Sequence, residues 1–231
     1  MSLLNWNSYN EVPHYLRDEE EPYSLPLILR LEKDPSQQPT HEEALITSAK
    51  AVIALFDNEK SAEGNEWYPY LDKWMHGRIR KVARRARASA WDNVQHLNGI
   101  TVTHGKAEVR VLLPHALDTP PTEVKKLQVS GLDLVRESSS QNDLSINSLA
   151  ISLNPDVSMS TGKSMAQVGH AAQLAVFNTA EDKLTNWASS ERNIVLADWN
   201  SQSNWDAEIQ DAGFTEVAPG SVTARATIIT D

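Results

Sequence analysis

Ser148-Leu-Ala-Ile-Ser-Leu153 opens a thirty-residue stretch that continues through a polar loop into Gly162-Lys-Ser-Met-Ala-Gln-Val-Gly-His-Ala-Ala-Gln-Leu-Ala-Val-Phe177. The first six residues are a short apolar run that reads as a strand. The loop passes Pro155 and ends in Met159-Ser-Thr161, a polar turn of the kind that precedes a helix. Gly162 to Phe177 reads as that helix. Gly169, Ala171, Ala172 and Ala175 are small, so the helix can approach a sheet closely. Gln167 and His170 lie three apart and share a face. Lys163 sits near the helix start, where unpaired N–H groups make an anion-friendly corner. The GxxxxGK[ST] phosphate loop is excluded, because Gly162-Lys163-Ser164 lacks the upstream glycine at the required spacing.

The same pattern occurs upstream. Leu25 to Leu31 reads as a strand, a polar loop carries Pro35 and Pro39, and Thr40 precedes Glu42 and Glu43 as a helix cap with acidic first-turn residues. The helix is expected from about His41 to Phe56. Between the two helices, Ala51, Ala54 and Phe56 match Ala172, Ala175 and Phe177 at a spacing of 121. At a spacing of 114, Arg78, Ala83, Ser89, Trp91, Asp92, Gly99 and Thr101 match Arg192, Ala197, Ser203, Trp205, Asp206, Gly213 and Thr215. At 115, Val102, Gly105 and Arg110 match Val217, Gly220 and Arg225. We read a tandem duplication: an α/β protein of two related strand–helix–strand halves with mixed sheets, packed about a pseudo-two-fold axis. The other reading is chance similarity of two α/β segments.

The chain has 231 residues, enough for two compact units. The expected organisation is an N-terminal arm over 1–22, copy A over 23–114, a linker over 115–146 and copy B over 147–231. The arm carries Trp6, Tyr9, Tyr15 and the acidic run Asp18 to Glu21, and should dock its aromatics somewhere. The linker has Pro120-Pro121 and Ser138-Ser-Ser-Gln-Asn142, flanking a possible short strand from Lys126 to Leu134. No apolar run approaches the length of a membrane span, and Met1 to Trp6 lacks the basic start of a secretory leader. Cysteine is absent, which removes disulfides, thiol nucleophiles and cysteine-based zinc sites. A reduced, cytoplasmic setting is the expectation. The net charge of −10 excludes indiscriminate nucleic-acid binding, so any RNA contact must be local and basic.

A second segment carries chemistry: Asp211-Ala-Gly-Phe-Thr-Glu-Val-Ala-Pro-Gly-Ser-Val-Thr223. Pro219-Gly220 is a turn, and Thr223 begins a strand. The two segments together resemble the signatures of the peptidyl-tRNA hydrolase type II family. Its helix start reads Gly-Lys-x-Ala-Ala-Gln-Cys-x-His-Ala, against Gly162 to Ala171 here. Its later hairpin reads Asp-Ala-Gly-Arg-Thr-Gln-x-x-Pro-Gly-Ser/Thr-x-Thr, against Asp211 to Thr223. The resemblance covers copy B, somewhat over a third of the chain.

The resemblance implies an α/β domain with a mixed sheet and hydrolysis of the ester joining a peptide to tRNA, with no metal or organic cofactor. By position it implies Lys163, Asp211 and Thr215 as catalytic residues. It places Thr161, Gly162, Gln167, His170, Gly220 and Thr223 around the substrate. In the roles the resemblance implies, Asp211 would orient or deprotonate water, Lys163 and the neighbouring helix N–H groups would hold the oxyanion or terminal phosphate, and Thr215 would donate a hydrogen bond. The family usually works as a homodimer, so copy A stands in for a second subunit and the chain can act as a monomer. Val168 replaces the usual cysteine and Phe214 the usual arginine. The family's paired-lysine loop shrinks to Ser160 to Lys163, and only about ten residues separate the strand Asn193–Ala197 from the run at Ala207, where the family has a helix. Copy A aligns Glu42 with Lys163, Ile46 with Gln167, Ala49 with His170 and Leu97 with Asp211, retaining only Thr101 opposite Thr215. It is expected to be catalytically dead.

Plainer readings stand beside these. Lys163 is a surface lysine, Asp211 a turn former, Thr215 and Thr223 ordinary strand threonines, and His170 a satisfied buried histidine. Arg78-Ile-Arg-Lys-Val-Ala-Arg-Arg-Ala-Arg87 either grips RNA phosphates, with Arg84, Arg85 and Arg87 as contacts, or is a solvated face balancing acidic neighbours. The tryptophans are expected as core anchors. Three function classes follow: an enzyme acting on peptidyl-tRNA, a degenerate relative that binds RNA or a protein without turnover, or a purely structural domain that keeps the hairpin motif for its turn geometry.

Overall fold

The computed structural model describes residues 6, 17, 20–137, 145–213 and 215–230. The first half runs β1 (Tyr23–Arg30), α1 (His41–Asp57), α2 (Tyr68–Met75), β2 (Lys81–Ala86), α3 (Ser89–Val94), β3 (Gly99–His104) and β4 (Ala107–Leu112). β5 (His115–Ala116) and α4 (Thr122–Lys125) follow. The second half runs β6 (Ser148–Leu153), α5 (Thr161–Asn178), α6 (Glu181–Ser189), β7 (Asn193–Leu196), β8 (Ala207–Gln210) and β9 (Val222–Ile228).

The helix starts follow from their caps. Thr40 accepts the Glu43 N–H while the Glu43 carboxylate accepts the Thr40 N–H, a complete capping box with acidic residues in the first turn. Ser160 caps α5 by accepting the Lys163 N–H, so that helix begins at Thr161, one residue before the expected start. The caps Thr40 and Ser160 lie 120 apart, so measured from the cap Lys163 corresponds to Glu43 rather than to Glu42.

Both halves have the same sheet. β1 is parallel to β2 and antiparallel to β4, which pairs with β3; β6 is parallel to β7 and antiparallel to β9, which pairs with β8. The fold is mixed α/β in two related halves. α1 and α5 pack on each other between the two sheets, with α1 touching β3, β4 and β7 and α5 touching β2, β6, β8 and β9. One continuous core results, drawing on Leu27, Val52, Phe56, Val109, Ile151, Val168, Phe177 and Ala224. Gly169 makes the close approach possible: a Cβ there would meet Val52 at 3.1 Å and Lys81 at 3.3 Å. At the far end of the helix pair, Phe56 and Phe177 meet edge-to-face at 5.0 Å, and Trp6 joins them at 5.2 Å from Phe56. Trp6 thus docks as expected of an aromatic in the arm; Tyr9, Tyr15, Asp18 and Glu19 lie outside the described residues.

Ladder register corrects part of the repeat alignment. Val109 and Val111 enter the main core as Ala224 and Ala226 do, which keeps β4 and β9 at the spacing of 115 with Arg110 opposite Arg225; Leu27, facing Val111, then corresponds to Ile151, facing Ala226. Ala83, however, faces Leu27 while Leu196 faces Ile151, so Ala83 corresponds to Leu196 and not to Ala197. A shift of one residue exchanges sheet faces. Val102 and Ile209 face the corresponding residues Val109 and Ala224, which puts β3 and β8 at 107, not 114. Thr101 therefore lies inside a strand, whereas Thr215 lies in the loop 211–221 between β8 and β9, and the two are not equivalent. Nor are the Trp-Asp pairs: Trp91 and Asp92 belong to α3, but Trp205 and Asp206 lead directly into β8 with no helix before them.

The expected strand Lys126–Leu134 reduces to one bridge, Arg85 to Gln128. Val124 and Leu127 instead cover the outer face of the first sheet together with Trp91, and Leu132 enters the main core. Apolar burial holds this stretch where a ladder was expected. Ser138 to Asn142 lie outside the described residues. Trp67, Trp74 and Trp91 are buried anchors, while Trp199 lies under the Arg225 guanidinium at 4.2 Å. Among the described residues, no helix is long and apolar enough to cross a membrane.

Candidate functional site

Four side chains meet where the start of α5 faces β8 and β9. The Lys163 ammonium donates to Asp211 Oδ2. Gln167, one turn further along α5, donates from Nε2 to the same oxygen at 2.6 Å. Its Oε1 accepts from the Thr223 hydroxyl at 2.9 Å. Asp211 Oδ1 accepts the Gly213 N–H at 2.8 Å. The Asp211 carboxylate thus receives three donors and is 5% exposed, with Lys163 at 13%.

Local backbone features aim these groups. Ile209 pairs with Ala224 but Gln210 pairs with Val222, leaving Thr223 as the extra residue of a bulge. A bulge re-aims a side chain, and here it brings the Thr223 hydroxyl onto α5. Asp211 is fixed through its own main chain, its N–H donating to Ser221 O at 2.9 Å and its carbonyl accepting from Gly220 N at 2.7 Å. Gly213 has φ +77°, and a Cβ there would overlap the Pro219 ring, so the turn requires glycine.

Lys163, Gln167 and Asp211 line one wall of a cleft of about 170 Å³, together with Ser160, Gly162, Ala166, His170, Thr215 and Glu216. The opposite wall comes from the first half: Arg78, Arg80, Lys81, Val82 and Ala83, with Val129 between. His170 spans the two, its Nε2 meeting Ile79 O at 2.6 Å. Ile79 holds φ +44°, strained for a β-branched residue, directly between Arg78 and Arg80.

Of the residues singled out in the sequence, Lys163, Asp211, Gln167, Gly162, His170 and Thr215 line this cleft, and Thr223 supports it from behind. Gly220 acts through its main chain. Thr161 is buried on another side of α5, with Oγ1 at 2.9 Å from His41 Nδ1 and accepting the Leu134 N–H at 3.0 Å. Burial holds the neighbouring His41 imidazole below its usual value, aided by the Arg136 charge. The basic run divides. Arg84 donates to Leu127 O, and Arg85 to Gln128 and to Gly131 O, so both fasten the 127–131 segment. Arg87 is exposed on a separate surface. Phe214 lies outside the described residues.

Sequence reasoning missed Arg78 and Arg80 as cleft residues, because the run gave no sign of which cations face copy B. It also missed Glu216, whose carboxylate accepts from Ser160 N at 2.8 Å and from Ser160 Oγ at 2.7 Å. Lys81 belongs to the same run yet is buried, donating to Gln173 Oε1 at 2.6 Å with its ammonium 4.8 Å from the Trp74 ring. Desolvation holds it well below the usual lysine value.

The paired lysine and aspartate, the glutamine between them and the glycine-dependent turn all fall in one segment. Residues 147–228 match the family model of peptidyl-tRNA hydrolase PTH2. No curated protein and no solved structure matches the chain. The PTH2 match takes in β6 to β9 and α5, and so every cleft residue contributed by the second half. The wall carrying Arg78 and Arg80 lies outside it. Residues 197–206 form turns and loop between β7 and β8, with no helix, in line with the short spacing read from the sequence.

Proposed function

We propose that this chain hydrolyses the ester bond of peptidyl-tRNA, at the Lys163–Asp211 cleft. The observation that carries the reading is the constellation of Lys163, Asp211, Gln167 and Thr223 within the PTH2-matched segment, opening on a cleft with cationic side chains opposite. Ester hydrolysis needs a positioned water and a stabilised oxyanion. Asp211 serves as the acceptor for water. Lys163 has two further N–H groups for the oxyanion, and the exposed Thr215 hydroxyl donates beside them. Gln167 and Thr223 keep the carboxylate in place. The first half, with the same strand order, acts as a non-catalytic copy that supplies the second wall, in place of a partner subunit. In it, Glu43 occupies the position corresponding to Lys163, and its carboxylate accepts the Lys106 N–H at 3.1 Å. A reduced cytoplasmic setting accords with the lack of cysteine.

The test is single-turnover hydrolysis of purified peptidyl-tRNA by the full chain and by Lys163→Ala. Loss of an oxyanion donor should lower the rate about 10²- to 10³-fold. Equal rates would remove Lys163 from the chemistry. One observation favours a second reading, a binding module without turnover: the Lys163–Asp211 pair is largely buried. Retention of tRNA with no hydrolysis by the parent would decide for it.

The cations separate by role. Arg87→Ala should flatten the salt dependence of tRNA binding by about 0.9 in slope if it meets a phosphate. Arg85→Ala should instead lower stability and increase proteolysis near residues 127–131, because it fastens that segment. An unchanged slope in Arg87→Ala removes Arg87 from the tRNA contact.

A further inference from the structure

Glu216 is the cleft's one exposed carboxylate among the described lining residues. Both its oxygens are engaged, on the N–H and the hydroxyl of Ser160. Ser160 Oγ in turn accepts the Lys163 N–H at 3.2 Å, so Glu216 is one residue removed from the backbone of Lys163. The Asp211 carboxylate already neutralises the Lys163 ammonium. Adding Glu216 leaves the second-half wall with one cation and two carboxylates. An anionic group moving toward Lys163 meets this wall and must either tolerate Glu216 or displace it from Ser160.

We propose that Glu216 is a selectivity residue, whose carboxylate on Ser160 weakens the cleft's hold on anionic substrate groups approaching Lys163. The proposal rests on the reading of this cleft as the substrate site. Its consequence is a preference: the cleft favours the uncharged ester and peptide end over the phosphates, which must find Arg78 and Arg80 on the other wall. Because Glu216 is exposed, water screens its charge strongly, and its repulsion of a nearby anion is expected to be on the order of three- to tenfold in affinity.

The experiment compares the full chain with Glu216→Gln and Glu216→Ala. Glu216→Gln keeps the size of the side chain, so a folding defect in Glu216→Ala alone does not decide the matter. Two measurements are made: KM for peptidyl-tRNA, and affinity for inorganic phosphate followed at the Ser160 and Lys163 amide signals. The expected result is a three- to tenfold fall in KM, larger than any change in kcat, with phosphate affinity rising by a similar factor. Unchanged or weaker phosphate affinity in both variants overturns the proposal. If no variant hydrolyses peptidyl-tRNA but phosphate binding still rises, Glu216 keeps this role and the hydrolase reading fails.

Discussion

On the proposed reading, Asp211→Asn is expected to lower the hydrolysis of bound peptidyl-tRNA by about 10³-fold, a barrier increase of roughly 4 kcal/mol. An amide cannot take a proton from water. It also has a single acceptor oxygen, whereas Lys163, Gln167 and Gly213 present three donors to the carboxylate. At least one donor is left unmatched, and the Lys163 charge loses its partner where little water reaches. Breaking such a pair from one side costs about 3–5 kcal/mol of stability. The variant therefore melts earlier as well as turning over slowly. Thr215→Val separates the two effects, since that residue is exposed and should slow the reaction with little change in melting temperature. Single-turnover kinetics and thermal melts on the same samples check both. An Asp211→Asn protein with parental turnover would exclude the carboxylate from the chemistry.

Lys81→Met raises stability. The lysine stem crosses the junction between β2 and α5 and ends against Trp74 and Gln173, with no carboxylate partner among the described residues. Methionine fills similar volume without a charge to desolvate, offset by the loss of the Gln173 hydrogen bond. The expected net gain is about 1–3 kcal/mol, or roughly 2–10 °C. The pH dependence has a definite sign. Desolvation lowers the folded-state pKa of Lys81 well below the ordinary 10.5. Between the two values the unfolded chain binds the extra proton, so parental stability rises with pH across that window and the penalty is complete below it. Lys81→Met should lack this rise. Denaturant titrations from neutral to alkaline pH test it; a variant with lower stability, or with the parental slope, would show that Lys81 is well accommodated as a cation.

The sequence made the helices and inner strands legible through strong local signals. Thr40 with Glu43, and Ser160 with the small residues of α5, specify where each helix starts and which neighbour it can approach. The Lys163–Asp211 pair was legible because its glycine-bearing motif is unusual. What could not be read was register. Matching Ala83 to Ala197 looks better by residue type than Ala83 to Leu196, but hydrogen bonding selects the latter. The Trp-Asp matches failed for a related reason: α3 is present in one half and absent in the other, so identical dipeptides stand in different elements. The linker was obscured by its prolines and serines, although Val124, Leu127 and Leu132 carry enough apolar surface to bind it to the fold. The second wall of the cleft was hidden because its residues, Arg78 to Ala83, are far in sequence from Ser160 to Glu216 on the other wall.

The packing of α1 on α5 within one polypeptide has a thermodynamic consequence. A cleft whose walls come from separate subunits empties of one wall whenever the assembly dissociates, so its activity falls on dilution. Here the two walls are tethered, and the local concentration of one relative to the other is set by chain connectivity, of millimolar order or above whatever the amount of protein. Specific activity should therefore be the same at picomolar and micromolar chain. If the first half stands in for a subunit as proposed, residues on the α1–α5 contact answer to folding alone, and Arg78 and Arg80 can vary without altering Lys163 and Asp211 on the other wall.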